Sequence, residues 1–275
     1  MQVGVFAKTF PGDHPTNVLM ASKAAGFNSV QYNMSCSGLE SLPATIANKT
    51  AREVQRAAAA SSIQIVAVSA TYNMTDPDLE RRQSGRRGFK AIAENAEQMG
   101  SNLLTVCSGS MDPNDKWKRH RANDDPETWI EMCREFEKIL SYAEQYNILI
   151  GVEPEHANVV SSSHKAQRLL HEFPGSRIRI VFDPANILED VPQENQQQTI
   201  DEALDLLGPK ITLAHAKDRD LEGEVVPAGV GFIDWDHVLR GLSNIGFDGP
   251  LIAHGISAKD APQVAKFLAQ QIARL

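Results

Sequence analysis

Four short apolar runs in this chain each end in a side chain able to ligate a divalent metal ion. Ile148–Val152 runs into Glu153, Ile178–Phe182 into Asp183, Ile211–Ala214 into His215, and Leu251–Ala253 into His254. Buried carboxylates are costly unless paired or metal-bound. For any one of the four a structural role is an equal account, but the set together predicts one metal site made of Glu153, Asp183, His215 and His254. Two carboxylates with two imidazoles suit Mn, Co or Zn better than Mg, which prefers oxygen ligands, though Mg stays open.

Nearby residues extend the site. Glu155 lies two residues beyond Glu153 and so shares its side of an extended chain; it is expected to hold a neighbouring donor. Lys217 stands in the same relation to His215. It is placed either to stabilise an oxyanion or a substrate hydroxyl, or to pair with Glu155 or Asp183.

These residues need elements to carry them, and the four runs recur about every 30–40 residues, the spacing of strands separated by helices. Strands are expected at 2–7, 29–33, 63–71, 103–107, 148–153, 178–183, 211–216 and 250–254. Helices are expected at 14–25, 48–61, 76–99, 126–146, 163–173, 196–207, 234–245 and 261–274. Gly100 and Gly208-Pro209 read as helix stops, and Asp125-Pro126 as an N-cap followed by Pro at N1. The near-continuous apolar strands suit a parallel sheet covered on both faces. Eight such units predict a TIM (β/α)8 barrel in one domain, residues 1–275. An open doubly wound sheet would share the alternation, but no GxGxxG joins the first strand to its helix. In a barrel the chemistry sits at the C-terminal strand ends, where all four candidate ligands fall.

Composition narrows the class. A hydrophobic fraction of 42% is ample for one large core, and a net charge of −8 without a basic stripe argues against nucleic acid as partner. Cys36, Cys107 and Cys133 form no CxxC pair, which suggests a reducing compartment. The N-terminus lacks the pattern of a secretory signal. No apolar run approaches the ~20 residues of a membrane span. A cytoplasmic protein with no membrane partner is expected, and a homo-oligomer is left open.

Four motifs carry a resemblance. GVEPE (Gly151–Glu155), VFDPANIL (Val181–Leu188), AHAKD (Ala214–Asp218) and GVGFIDW (Gly229–Trp235) resemble the xylose-isomerase-like TIM-barrel family. That family includes sugar phosphate isomerases, tagatose-type epimerases, inosose dehydratase and, distantly, endonuclease IV enzymes. The resemblance implies that Glu153, Asp183 and His215 match three family metal ligands. The fourth, usually a glutamate that also serves the epimerases as second base, is matched by His254. Asn186 stands where several members place a His; it can bond a hydroxyl but is no base at neutral pH.

The resemblance further implies a small carbohydrate substrate and one divalent metal ion. Trp117 and Arg119, in the loop after the fourth strand, are candidates to stack on the sugar and to reach a hydroxyl, carboxylate or phosphate; a solvated loop is the plainer account. Asn73, at the third strand's end, joins Asn186 and Glu155 as a candidate substrate contact. Gly229 and Gly231 would serve either a phosphate cradle or a tight connection. The expected reaction is metal-assisted proton abstraction next to a carbonyl, with Glu153, Lys217 and His254 as catalytic groups and an enediolate as intermediate, giving an isomerase or epimerase. A lyase or dehydratase acting through the same enediolate is the alternative. A DNA-repair phosphodiesterase would need more histidines than the eight present, and a non-catalytic barrel would bind no metal tightly.

Overall fold

The computed structural model describes all 275 residues. Its strands are β1 (Gln2–Phe6), β2 (Ser29–Tyr32), β3 (Gln64–Ser69), β4 (Leu103–Val106), β5 (Leu149–Val152), β6 (Ile178–Phe182), β7 (Ile211–Arg219), β8 (Val225–Pro227) and β9 (Pro250–Ala253). All but β8 pair in parallel. β1 bonds to both β2 and β9, and β6 bonds to β7, so the sheet closes into an eight-stranded TIM barrel. The helices are α1 (Pro15–Ala24), α2 (Asn48–Ser61), α3 (Leu79–Met99), α4 (Pro126–Gln145), α5 (Ser163–Glu172), α6 (Pro184–Ile187), α7 (Gln196–Leu207), α8 (Trp235–Asn244) and α9 (Ala261–Ile272).

Alternation along the strands builds two apolar layers. Side chains pointing outward, among them Val5, Val30, Leu104, Ile150, Ile180 and Leu251, pack beneath the helices in the main core. Those pointing inward form a small separate cluster of Ala67, Leu103, Val181, Leu213 and Ile252. Each of these five stands two residues before a rim side chain: Ser69, Thr105, Asp183, His215 and His254. Because the strand period is two, the inner plug and the rim groups share one face of the sheet. The plug thus forms an apolar floor, and the polar groups stand directly above it.

Gly151 holds the equivalent place below Glu153. A Cβ there would lie 3.0 Å from Val181 Cγ2 and 3.2 Å from Leu103 Cδ1, so the narrow floor favours glycine.

Two features depart from the expected pattern. β7 continues to Arg219 and forms an antiparallel hairpin with β8, pairing Lys217 with Pro227 and Arg219 with Val225. A three-residue strand is too short to show a hydrophobic period. The four-residue α6 follows β6 at once because the Asp183 side chain caps it, accepting from the backbone N–H of Ala185 and Asn186. No helix is long and apolar enough to cross a membrane.

Candidate active site

The strand ends bring three of the four expected ligands together. One ligand atom each from Glu153, Asp183 and His215 lies within 4.8 Å of the others. His215 Nδ1 is 3.1 Å from Glu153 Oε1 and 3.4 Å from Asp183 Oδ2. His254 stays outside this trio. Its ring stacks on His215, with centroids 5.0 Å apart and planes at 10°, and lies 5.1 Å from the ring of Phe6. The Nδ1 atom of His254 is buried without a hydrogen-bond partner.

The arrangement around His215 fixes its tautomer. Gln31 donates its amide N–H to Thr105 Oγ1 at 3.0 Å, so its oxygen accepts from His215 Nε2–H at 2.8 Å. Nδ1 is left facing two carboxylate oxygens. A lone pair there would be repelled unless Nδ1 carries a proton or a cation lies between. Metal-binding histidines commonly have their other nitrogen anchored in this way.

Electrostatics follow from that crowding. Burial disfavours a charge on His215, but Glu153 and Asp183 outweigh it and lift the imidazole to about 9. Burial likewise opposes ionisation of Asp183 and Glu153, yet the Lys217 and His215 charges hold both carboxyls below their usual range. Lys217 Nζ sits 3.1 Å from Asp183 Oδ2. Burial, then the charges of His215 and Lys217, pushes His254 down to about 4. Burial and the Glu153 charge push Glu155 up to about 8. In the metal-free site these shifts favour the neutral form of both the His254 imidazole and the Glu155 carboxyl.

The donor set fits a divalent metal. A carboxylate oxygen from each of Glu153 and Asp183 converges with Nδ1 of His215, and the fully buried Asp183 Oδ2 turns toward Lys217 Nζ at 3.1 Å and His215 Nδ1 at 3.4 Å. Asn186 Nδ2 donates to Glu153 Oε1 at 2.9 Å and to the Pro154 carbonyl at 3.2 Å, steadying the carboxylate.

Above the trio lies a cavity of about 360 Å³, lined among others by Gln31, Cys107, Lys116, Trp117, Glu153, Glu155, His215 and His254. Trp117 is half-exposed and lines it. Arg119 and Asn73 do not reach it. The Arg119 guanidinium is held by Asp124 at 2.6 Å and by the His156 carbonyl at 3.1 Å. Asn73 is tied to Ser110 through both amide atoms, at 2.8 and 2.9 Å, and so shapes the loop after β4. Lys217 and Asn186 lie beneath the cavity, against Asp183 and Glu153.

Sequence reasoning passed over Gln31, Thr105 and Lys116. Gln31 and Thr105 each carry a signal: a polar residue inside an apolar strand, two before a rim residue, must point into the barrel. Lys116 carried none beyond its loop.

Asp218 explains the second half of the motif pattern. Its buried carboxylate accepts from the backbone N–H of Arg219 (2.9 Å), Gly229 (3.0 Å) and Ile233 (3.0 Å), and from Trp235 Nε1 (2.9 Å). A Cβ on Gly231 would lie 2.0 Å from the Arg219 carbonyl oxygen. The glycine turn therefore wraps a carboxylate of the chain itself, and a phosphate cradle is not what it forms.

A closed eight-stranded parallel barrel with a cluster of ionisable side chains at its C-terminal rim defines the class: a TIM barrel with a candidate active site at the strand ends. The profile of the xylose isomerase-like TIM barrel family matches residues 19–271, and the chain belongs to that family. No curated protein sequence matches it. Among solved structures it resembles a D-tagatose 3-epimerase-like protein (TM-score 0.79, 18% identity, 100% of this chain and 98% of that one). It also resembles the IolI protein with a binding zinc atom (0.76, 16%, 100% and 99%). A third is the probable 3-DHS dehydratase AsbF of Bacillus anthracis (0.74, 15%, 98% and 99%). At these identities the likeness shows the fold alone.

Proposed function

We propose that the protein is a divalent-metal-dependent isomerase or epimerase of a small carbohydrate, moving a proton on the carbon next to a carbonyl. The observation that carries this reading is the convergence of Glu153, Asp183 and His215, of which Glu153 and His215 line the cavity. When bound, the ion supplies Lewis acidity that lowers the cost of an enediolate. Glu153, Asp183 and His215 would hold it, with His254 beside them as a fourth donor or a proton carrier. Lys217 balances the charge of Asp183. Two groups face the cavity in proton-accepting form, the Glu153 carboxylate and the neutral His254. Glu155 faces it as the candidate proton donor, its carboxyl pushed up by burial and by the Glu153 charge. One acceptor takes the proton from carbon and a donor returns it. Trp117 closes the rim over the substrate, and Asn186 keeps Glu153 aimed.

A second reading is a lyase through the same enediolate. It is favoured by Glu155, whose neutral carboxyl is suited to protonate a departing oxygen. The epimerase-like and dehydratase relatives in fold accommodate both outcomes. Cys36, Cys107 and Cys133 all stand as free thiols, which fits a cytoplasmic enzyme.

The test is elemental analysis of the purified protein, followed by a keto-sugar and polyol panel in heavy water with the metal found. Deuterium entering isomerised or recovered sugar supports the isomerase, and loss of a leaving group supports the lyase. A protein that holds no metal, and whose affinity for added metal is unchanged by Glu153→Ala or His215→Ala, would overturn the reading.

A further inference from the structure

The cavity has two chemically different arcs. The candidate ligands come from the ends of β5, β6 and β7. Across the rim stand two ammonium groups, Lys8 from the turn after β1 and Lys116 from the loop after β4. Lys116 folds back over the end of β3, where its Nζ reaches the Thr71 carbonyl at 3.4 Å and lies 5.1 Å from the Trp117 ring centroid. Neither lysine has a carboxylate partner within ion-pair distance, although this chain pairs many of its cations, including Lys118 with Asp112 at 3.9 Å and Lys165 with Asp124 at 2.6 Å.

We infer that the substrate is an anionic carbohydrate whose carboxylate or phosphate seats between Lys8 and Lys116 while its carbonyl end lies over Glu153 and His215. The inference rests on the carbohydrate reading above and adds the charge of the substrate.

Three observations support it. Lys8 is exposed, but Lys116 is a half-buried ammonium without a counter-ion, a costly arrangement, and burial together with the nearby Lys8 charge holds its pKa below the usual value. An incoming anion supplies the counter-charge that offsets both. The lysines also stand on the opposite arc from the ligand trio, so an anion between them leaves the trio free for the carbonyl end. Finally, hydroxyl and amide groups of Asn33, Ser41, Ser69 and Thr71, at or beyond the ends of β2 and β3, line the cavity on the same side as the lysines and offer neutral partners beside the two ammonium groups. At about 360 Å³ the cavity is near the lower end of ligand sites (~300–1,000 Å³) and suits one sugar unit.

The experiment uses three inert probes differing in one group: ribitol, ribonate and ribitol 5-phosphate. Their binding to the metal-supplemented protein is measured by calorimetry at low and high salt. We expect one of the two charged probes to bind about tenfold or more tighter than ribitol, the size of one charge-assisted contact. Ribonate or ribitol 5-phosphate as the tighter ligand distinguishes carboxylate from phosphate. That preference should fall severalfold in K8M or K116M, vanish in the double variant, and survive in K118M, which removes an equal charge two residues away. Circular dichroism of each variant checks the fold, and K116Q repeats the test with a polar side chain. Equal binding of all three probes, binding of none, or a preference that survives the double variant overturns the inference. The metal titration is scored separately. Tight metal with no charge preference removes this inference alone, whereas charge preference with no metal removes the metal-dependent reading.

Discussion

The imidazoles of His215 and His254 lie stacked, centroids 5.0 Å apart and planes at 10°. Two rings in that relation do not both carry a positive charge readily. His215, beside Glu153 and Asp183, holds its proton up to about 9, and His254 gives its proton up at about 4. Between those values one ring of the pair is charged and the other neutral.

Metal binding should therefore release protons. Nδ1 of His215 must lose its proton to ligate, so below about pH 9 the ion competes with it. The apparent affinity for Zn or Mn should climb about tenfold per pH unit below that value and flatten above it. Calorimetry in buffers of different ionisation enthalpy should find at least one proton released per ion at pH 7; none released would contradict the assignment.

The same proton has a consequence for the metal-free fold. A folded-state pKa of about 9 against an ordinary 6.5 contributes stability that is fully present below 6.5 and is lost as pH rises through 9. Unfolding in urea with chelator present should show that decline between pH 6.5 and 9, and His215→Gln should remove this pH-dependent part.

Gln31 sets which nitrogen of His215 faces the carboxylates. Gln31→Leu removes the acceptor of the Nε2–H and should weaken metal binding about 10–100-fold, the usual effect of losing a ligand's anchor. Gln31→Glu keeps an acceptor and should retain most of the affinity. Competition with a chromogenic chelator would show whether the two variants separate.

Glu153→Gln keeps the shape of the site and removes a base. Turnover on any keto-sugar accepted by the wild type should fall about 10²–10⁴-fold. Steady-state kinetics with deuterium exchange monitored by NMR is the measurement, and near-normal exchange would move the base role to His254.

Asp218 acts on stability rather than chemistry. Its replacement by Ala leaves Trp235 Nε1 and the N–H groups of Gly229 and Ile233 without their acceptor. A loss of about 3 kcal/mol or more is expected, since each buried donor left unpaired costs about 1–3 kcal/mol. Urea unfolding would report it; a loss below about 1 kcal/mol would mean that water replaces the carboxylate.

The barrel was legible in the sequence because its strands are buried on both faces and its helices carry clear ends. Helices 48–61 and 196–207 fall where read, and Asp234 caps α8 through His237 N–H as its type suggests. Convergence of Glu153, Asp183 and His215 was legible for the same reason: strand ends of a closed barrel share one rim. What lay beyond reach depends on loops that return over other strands. Nothing local to Lys116 says that it lies over the end of β3, or that Arg119, three residues on, turns to Asp124. The β7–β8 hairpin escaped because three residues cannot display a period.

Asp183 divides its labour between two oxygens. Oδ1 starts α6 by accepting from the amides of Ala185 and Asn186, while Oδ2 faces the candidate metal position. Asn186, on that helix, in turn steadies Glu153. An ion held at Oδ2 would thereby slow hydrogen–deuterium exchange at the amides of residues 185 and 186, which makes this single turn a built-in reporter of whether the site is loaded.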